Sequence, residues 1–162
     1  MSDYSQPDFY RFNEDSFLLV NEVLKNGRHG LLLDIGAGSG VIGIELALKL
    51  NLPEVHFLEL QKEWAPYLEE NVRSFIPEKK TRTFWTSIGE WEPEPIYDLI
   101  VSNPPYYIPG KGIQSPDPVR ANCRSFNIDN GDVLREKVMR GLKPGGAAWI
   151  LERGSVIRLD KN

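Results

Sequence analysis

Two short stretches hold residues whose types and spacing suit chemistry: Asp34-Ile35-Gly36-Ala37-Gly38-Ser39-Gly40 and Asn103-Pro104-Pro105-Tyr106. In the first, glycine recurs at every second position behind an acid. Glycine turns the backbone tightly and lets it approach a ligand without a Cβ in the way, so Gly38 is expected to lie against a bound small molecule. A dinucleotide loop reads G-x-G-x-x-G and seats a pyrophosphate on the helix end; here the third glycine comes one residue early. Glu59 follows about 20 residues on, where an acid can accept hydrogen bonds from both hydroxyls of a ribose. In the second stretch, two prolines remove two backbone donors and stiffen the chain. The Asn103 side-chain oxygen and the Pro104 carbonyl then offer two acceptors for the N–H groups of a planar amide or amino nitrogen. Holding both N–H groups draws the lone pair out of the π system, so positioning and electrostatics suffice without a strong base. Tyr106 can stack on the planar group. The plain alternatives are a glycine-rich β–α turn and a rigid structural turn.

These residues need a scaffold. Leu31–Ile35 is a continuous apolar run, as in a strand buried on both faces. Further strands are expected over 55–60, 82–86, 96–102 and 147–151. Helices are expected over 17–25, 41–50, 64–75 and 132–142, with Pro53 and Pro144 as stops. Residues 103–127 form a long loop rich in proline and glycine, of a length that is usually functional or disordered. The alternation predicts an α/β fold, a doubly wound, mainly parallel sheet in the order 3-2-1-4-5. Ligands in such sheets bind at the carboxyl ends of the strands where the order reverses, here between strands 1 and 4. Both chemical stretches fall at that point. The chain divides into an N-terminal segment and helix (1–29), an α/β core (30–152) and a tail (153–162), all in one domain.

Composition bounds the rest. The 162 residues are 41% hydrophobic and 26% charged, ordinary for a globular domain. No apolar run approaches the roughly 20 residues needed to cross a bilayer, and the first residues carry no signal-peptide pattern. Cys123 is the one cysteine and there are two histidines, so a disulfide or zinc site is not expected and a reducing cytoplasm is. The net charge of −4 splits into −8 over residues 1–109 and +4 over 110–162. The positive part either faces an anionic partner such as RNA or is a solvated surface. Trp85, Trp91 and Trp149 are assigned to packing, and His29 and His56 to no role.

With a strand before it and a helix after, D-x-G-x-G-x-G resembles the S-adenosylmethionine-binding loop of class I methyltransferases, whose fold is Rossmann-like. N-P-P-Y after strand 4 resembles the [D/N]-P-P-[Y/F] tetrapeptide of members that methylate planar nitrogens. Phe9-Tyr10-Arg11-Phe12-Asn13-Glu14-Asp15-Ser16-Phe17-Leu18-Leu19 resembles the "Y-R-F-x-x-D-x-x-L-L" start of the bacterial tRNA adenine-N6 methyltransferase family acting on valine tRNA. Ser115 and Arg120-Ala121-x-x-Arg124 resemble its "S…R-x-x-A-R" stretch, with Ala121 displaced.

The resemblance spans roughly residues 7–152. It implies S-adenosylmethionine as cofactor, S-adenosylhomocysteine as product and tRNA as partner. It places Phe12 and Asp34 at the methionine end, Gly36, Ala37, Gly38 and Gly40 along the ligand, and Glu59 and Leu60 beyond. Asn103, Pro104, Pro105 and Tyr106 become catalytic, Tyr106 and Tyr107 meet the substrate, and Arg120 and Arg124 face phosphates. The family's acid after strand 3, which holds the adenine amino group, is missing; Ser87 stands there. Release-factor glutamine N5-methyltransferases resemble the chain as well, one form of them working with an activator subunit. A non-catalytic S-adenosylmethionine-binding protein is the reading of another class. The family fold has seven strands, so strand 5 is expected to leave an edge for a dimer or an activator to cover.

Overall fold

Asp34 is the one polar residue in Leu31–Ile35, and this strand becomes the middle of the sheet. The computed structural model describes residues 3–8, 14–26, 29–104 and 129–162. The strands are β1 (Leu31–Ile35), β2 (Glu54–Glu59), β3 (Lys80–Trp85), β4 (Tyr97–Ser102), β5 (Leu142–Glu152) and β6 (Ser155–Asp160). The helices are α1 (Glu14–Lys25), α2 (Val41–Lys49), α3 (Ala65–Phe75) and α4 (Asp129–Gly141), with a 3-10 turn over Lys62–Trp64. The sheet runs β3-β2-β1-β4-β5-β6. The first five strands are parallel, and β6 is antiparallel to β5. The fold class and strand order expected from the sequence are those observed. The long loop read over 103–127 lies outside the described residues from position 105 onward.

Because successive strand residues face opposite sides, the core divides in two. Leu32, Phe57, Leu99, Val101 and Trp149 pack with Leu19, Val23, Ile44 and Leu68 on one face. Leu33, Leu58, Ile100, Ala148 and Ile150 pack with Leu134 and Val138 of α4 on the other. Trp91 and Trp149 are buried, as their assignment to packing requires. The edge strand β3 carries Lys80 and Arg82, charged residues that discourage pairing with another chain. Lys137 is buried and ties α4 to the loop before β4 through the Trp91 carbonyl at 2.7 Å and Glu92 at 2.8 Å.

Residues 153–162, read from the sequence as a tail, contain β6 instead. Its register runs from Glu152↔Ser155 to Ala147↔Asp160, so the β5 edge is filled by the chain itself. The connection is Arg153-Gly154, with φ of 49° and 78°. Two left-handed residues make the hairpin turn whose twist matches that of the strands, a turn signalled most strongly by Asn-Gly. Arginine at the first position is a poor signal, which is why the hairpin is hidden in the sequence.

Arginine is strained in that conformation, whereas asparagine tolerates it. Arg153→Asn is therefore expected to raise the unfolding free energy by up to about 1 kcal/mol, read from urea denaturation. A loss of stability would mean that the hairpin depends on the arginine side chain.

Candidate active site

Ile35 pairs with Leu58 on one side and Ser102 on the other. The residues that follow these three are Gly36, Glu59 and Asn103. They stand at one level at the ends of neighbouring strands, Glu59 and Asn103 being two strand spacings, roughly 10 Å, apart. The order reverses here, β2 and β3 lying to one side of β1 and β4 to β6 to the other.

The loop after β1 is built from three left-handed glycines, Gly36, Gly38 and Gly40, with φ of 73°, 54° and 80°. Gly36 and Ala37 both donate their N–H groups to the Leu58 carbonyl, at 2.8 and 3.2 Å. Gly40 is the N-cap of α2 and supplies no side-chain cap. Asp34 caps the helix in its place, its Oδ2 accepting the N–H of Gly43 at 2.9 Å. A Cβ on Gly40 would stand 2.3 Å from Leu68 Cδ1, and one on Gly43 2.8 Å from Phe57 Cε1. These two glycines serve packing. A Cβ on Gly38 would stand in ordinary contact with the Trp64 ring, at 3.7 Å. A Cβ on Gly36 meets nothing within 4 Å, so the backbone is open on that side. Ala37 is half-buried and packs against the core.

Asp34 is 1% exposed, so its carboxyl serves the loop from beneath. Burial pushes it up to about 7, opposed by the Gly43 N–H and reinforced by Glu59. Glu59 is also buried, which pushes its carboxyl upward against the N–H groups of Gln61, Gly38 and Leu60. Its Oε2 accepts from Gly38 at 2.8 Å and its Oε1 from Gln61 at 2.9 Å. Glu59 therefore couples the glycine loop to the end of β2. Leu60 beside it is 62% exposed, an apolar surface at the mouth of the site.

After β3, Ser87 Oγ accepts the Glu90 N–H at 3.2 Å and donates to Glu90 Oε2 at 3.1 Å. The acid missing directly after the strand is thus brought back to Thr86 and Ser87 by a turn. The signal was in the sequence as Ser87-x-x-Glu90, the spacing of a capping box. Asn71 is a second residue that motif reasoning missed. It is buried at a position of the apolar stripe of α3, accepts the Ser5 N–H at 2.7 Å and donates to the Ser5 and Ser39 carbonyls, both at 2.9 Å. It joins the N-terminal segment to the glycine loop, with Tyr4 bonded to Glu45 at 2.7 Å alongside. A polar residue in an apolar stripe was the available sign.

Asn103 is half-buried and Pro104 buried. The Asn103 Nδ2 donates to Ser16 Oγ of α1 at 3.1 Å, and Ser102 Oγ donates to the Ile35 carbonyl at 3.0 Å. Phe12, Pro105, Tyr106, Tyr107, Arg120 and Arg124 lie outside the described residues. Among the described residues, no His, Cys, Asp and Glu group could hold a metal ion, and no helix is long and apolar enough to cross a membrane.

A family profile described as Methyltransferase small domain matches residues 10–115. The tRNA1(Val) (adenine(37)-N6)-methyltransferase of Pedobacter heparinus is 30% identical over 141 residues, 87% of this chain and 59% of that protein. The chain thus spans little more than half the length of that relative. An S-adenosylmethionine-dependent methyltransferase from Clostridium acetobutylicum superposes with a TM-score of 0.57 at 19% identity, over 83% of this chain and 48% of that one. The phosphoethanolamine N-methyltransferase 2 of Haemonchus contortus in complex with S-adenosyl-L-methionine gives 0.57 at 26% identity, over 81% and 27%.

The raised Asp34 makes a pH dependence. In the unfolded chain an aspartate titrates near 3.9, and in the fold near 7. The folded protein therefore holds a proton that the unfolded chain has lost. The stabilisation is full below about 4 and is lost as pH rises to about 7, by about 1.4 kcal/mol per pH unit. Asp34→Asn keeps an acceptor for Gly43 and removes the titration. Its stability relative to the parent should climb between pH 4.5 and 6.5 and then level off. A constant difference across that range would show that Asp34 is ionised throughout.

Proposed function

The chain belongs to the small-domain methyltransferase family, and from that premise we propose that it uses S-adenosylmethionine to methylate the exocyclic N6 of adenine in tRNA. The observation that carries this is the common level of Gly36, Glu59 and Asn103 on three adjacent strands. A bare backbone, a carboxylate and a planar amide stand within one small molecule's reach.

The residues fit this cofactor better than a dinucleotide. Two acids, Asp34 and Glu59, border the loop, and the Glu59 carboxylate bonds directly to Gly38. The Gly38 N–H that a pyrophosphate would use is thus already committed to Glu59, whereas S-adenosylmethionine carries a sulfonium and no phosphate. When bound, it supplies an electrophilic methyl group. Gly36, whose Cβ direction is open, would let the backbone run along it. A carboxylate oxygen has two lone pairs, so each Glu59 oxygen can accept a ribose hydroxyl beside the backbone N–H it already holds. Leu60 would support the purine, with Ser87 and Glu90 offering acceptors to its amino group. Asp34 would act on the methionine end through the loop it holds, with Phe12 as a cover.

On the substrate side, the Asn103 Oδ1 and the Pro104 carbonyl would accept the two N–H groups of the attacking nitrogen. Drawing both N–H groups toward these acceptors frees the lone pair on the opposite face, so the chain needs no strong base. Tyr106 and Tyr107 would meet the base, and Arg120 and Arg124 the phosphates. The choice of RNA rests on the name of the Pedobacter heparinus relative and on the +4 charge of residues 110–162. A glutamine side-chain amide would meet the same two acceptors, which makes a release factor the rival substrate.

Incubation with radiolabelled S-adenosylmethionine and either total tRNA or cell protein separates the two, and label in the tRNA fraction is expected. Label in protein alone would replace the RNA reading by the glutamine one. Asn103→Ala should lower transfer by roughly 100-fold or more and leave cofactor affinity within about twofold by calorimetry; full activity would make N-P-P-Y a structural turn. Glu59→Ala should weaken cofactor binding by about 1.5–3 kcal/mol. Unchanged affinity would show that the ribose is held elsewhere.

A further inference from the structure

We infer that Ser16 is a positioning residue for methyl transfer, setting which end of the Asn103 amide faces the substrate; this rests on the proposed role of Asn103. An asparagine side chain has one end that accepts hydrogen bonds and one that donates, and the two differ by a half-turn about the last bond. Only the accepting end can hold the N–H groups of an attacking nitrogen. A half-turn would set the Nδ2 donors against those N–H groups, and nothing would draw the lone pair out of the π system.

Asn103 is the first residue beyond β4 and is half-buried. Its backbone is held by the sheet and by the Ser102 hydroxyl on the Ile35 carbonyl at 3.0 Å. Neither fixes the amide. The fixed partner is Ser16 Oγ, which takes the Nδ2 hydrogen at 3.1 Å. With the donor end committed to α1, Oδ1 is turned away from Ser16.

Ser16 is itself an unusual choice for its place. It is 2% exposed and shares the buried side of α1 with Leu19, Val20 and Val23. An apolar residue there would extend the core, and burying a hydroxyl is costly unless it is hydrogen-bonded. One thing the hydroxyl oxygen does there is accept the Asn103 Nδ2 hydrogen. The helix that carries it is anchored on the Leu19–Val23 side by the core that β5 and α2 share, so the Ser16 oxygen is a fixed point against which the amide is set.

The test uses the whole chain, with methyl transfer to the substrate found by the labelling experiment. Ser16→Ala should lower kcat by roughly ten- to 100-fold, the scale of a small misplacement at the reacting centre. It should leave cofactor affinity by calorimetry and the melting temperature near those of the parent. Ser16→Thr keeps the hydroxyl and should restore most of the rate. Combined with Asn103→Ala, the Ser16→Ala change should cost nothing further, because a residue that acts only through Asn103 has nothing left to act on. An independent loss in that background, or a drop in rate that follows loss of folded protein in both Ser16 variants, would overturn the inference. Full activity of Asn103→Ala alone would instead overturn the reading on which it rests.

Discussion

Ile35 pairs with Leu58 on one side and Ser102 on the other, and every feature of the site follows from that double register. Side chains alternate across a strand, so a slip of one residue turns each of them to the opposite face. Slipping β4 by one would exchange the Asn103 and Ser102 orientations and bury the amide. Slipping β2 would carry Glu59 away from the Gly38 N–H. The register is held by the two cores, because Leu33, Leu58 and Ile100 belong to one face and Leu32, Phe57 and Val101 to the other. The apolar packing far beneath the site therefore sets the level at which its polar groups emerge.

Above that register the loop is held by two carboxyl groups in an apolar setting. Asp34 and Glu59 are both buried, and both are pushed up by burial. Each gathers backbone N–H groups from around the loop: Gly43 on Asp34, Gly38 and Gln61 on Glu59. The glycines permit this in different ways. Gly40 and Gly43 let α2 sit close to Leu68 and Phe57, and Gly36 leaves its outer side clear. One short stretch of sequence thus contains an open position and two packing positions.

Much of this was legible in the residues. The apolar run of β1 and the alternation of strands and helices were enough for the parallel sheet and the order of its strands. The glycine pattern located the loop but could not tell Gly36 from Gly40, because the difference lies in Leu68, a distant residue in the chain. The β5–β6 hairpin was obscured by Arg153, whose left-handed φ is untypical of its residue type. Ser16, Asn71 and Glu90 make hydrogen bonds whose partners are set by packing. Glu90 alone had a local spacing that announced it. Asn71 and Ser16 could be suspected only as polar residues on apolar helix faces.

Asn71 has a consequence that reaches the front of the chain. Its amide bonds to Ser5 on one side and to Ser39, within the glycine loop, on the other, and it is 1% exposed. Detaching residues 3–8 would strand a buried amide, so segment and loop are two ends of one equilibrium. A ligand that needs the loop as it stands favours the attached segment, and by reciprocity the attached segment tightens the ligand by the same free energy. For such a ligand, residues 3–8 would act from outside the loop, through one buried side chain.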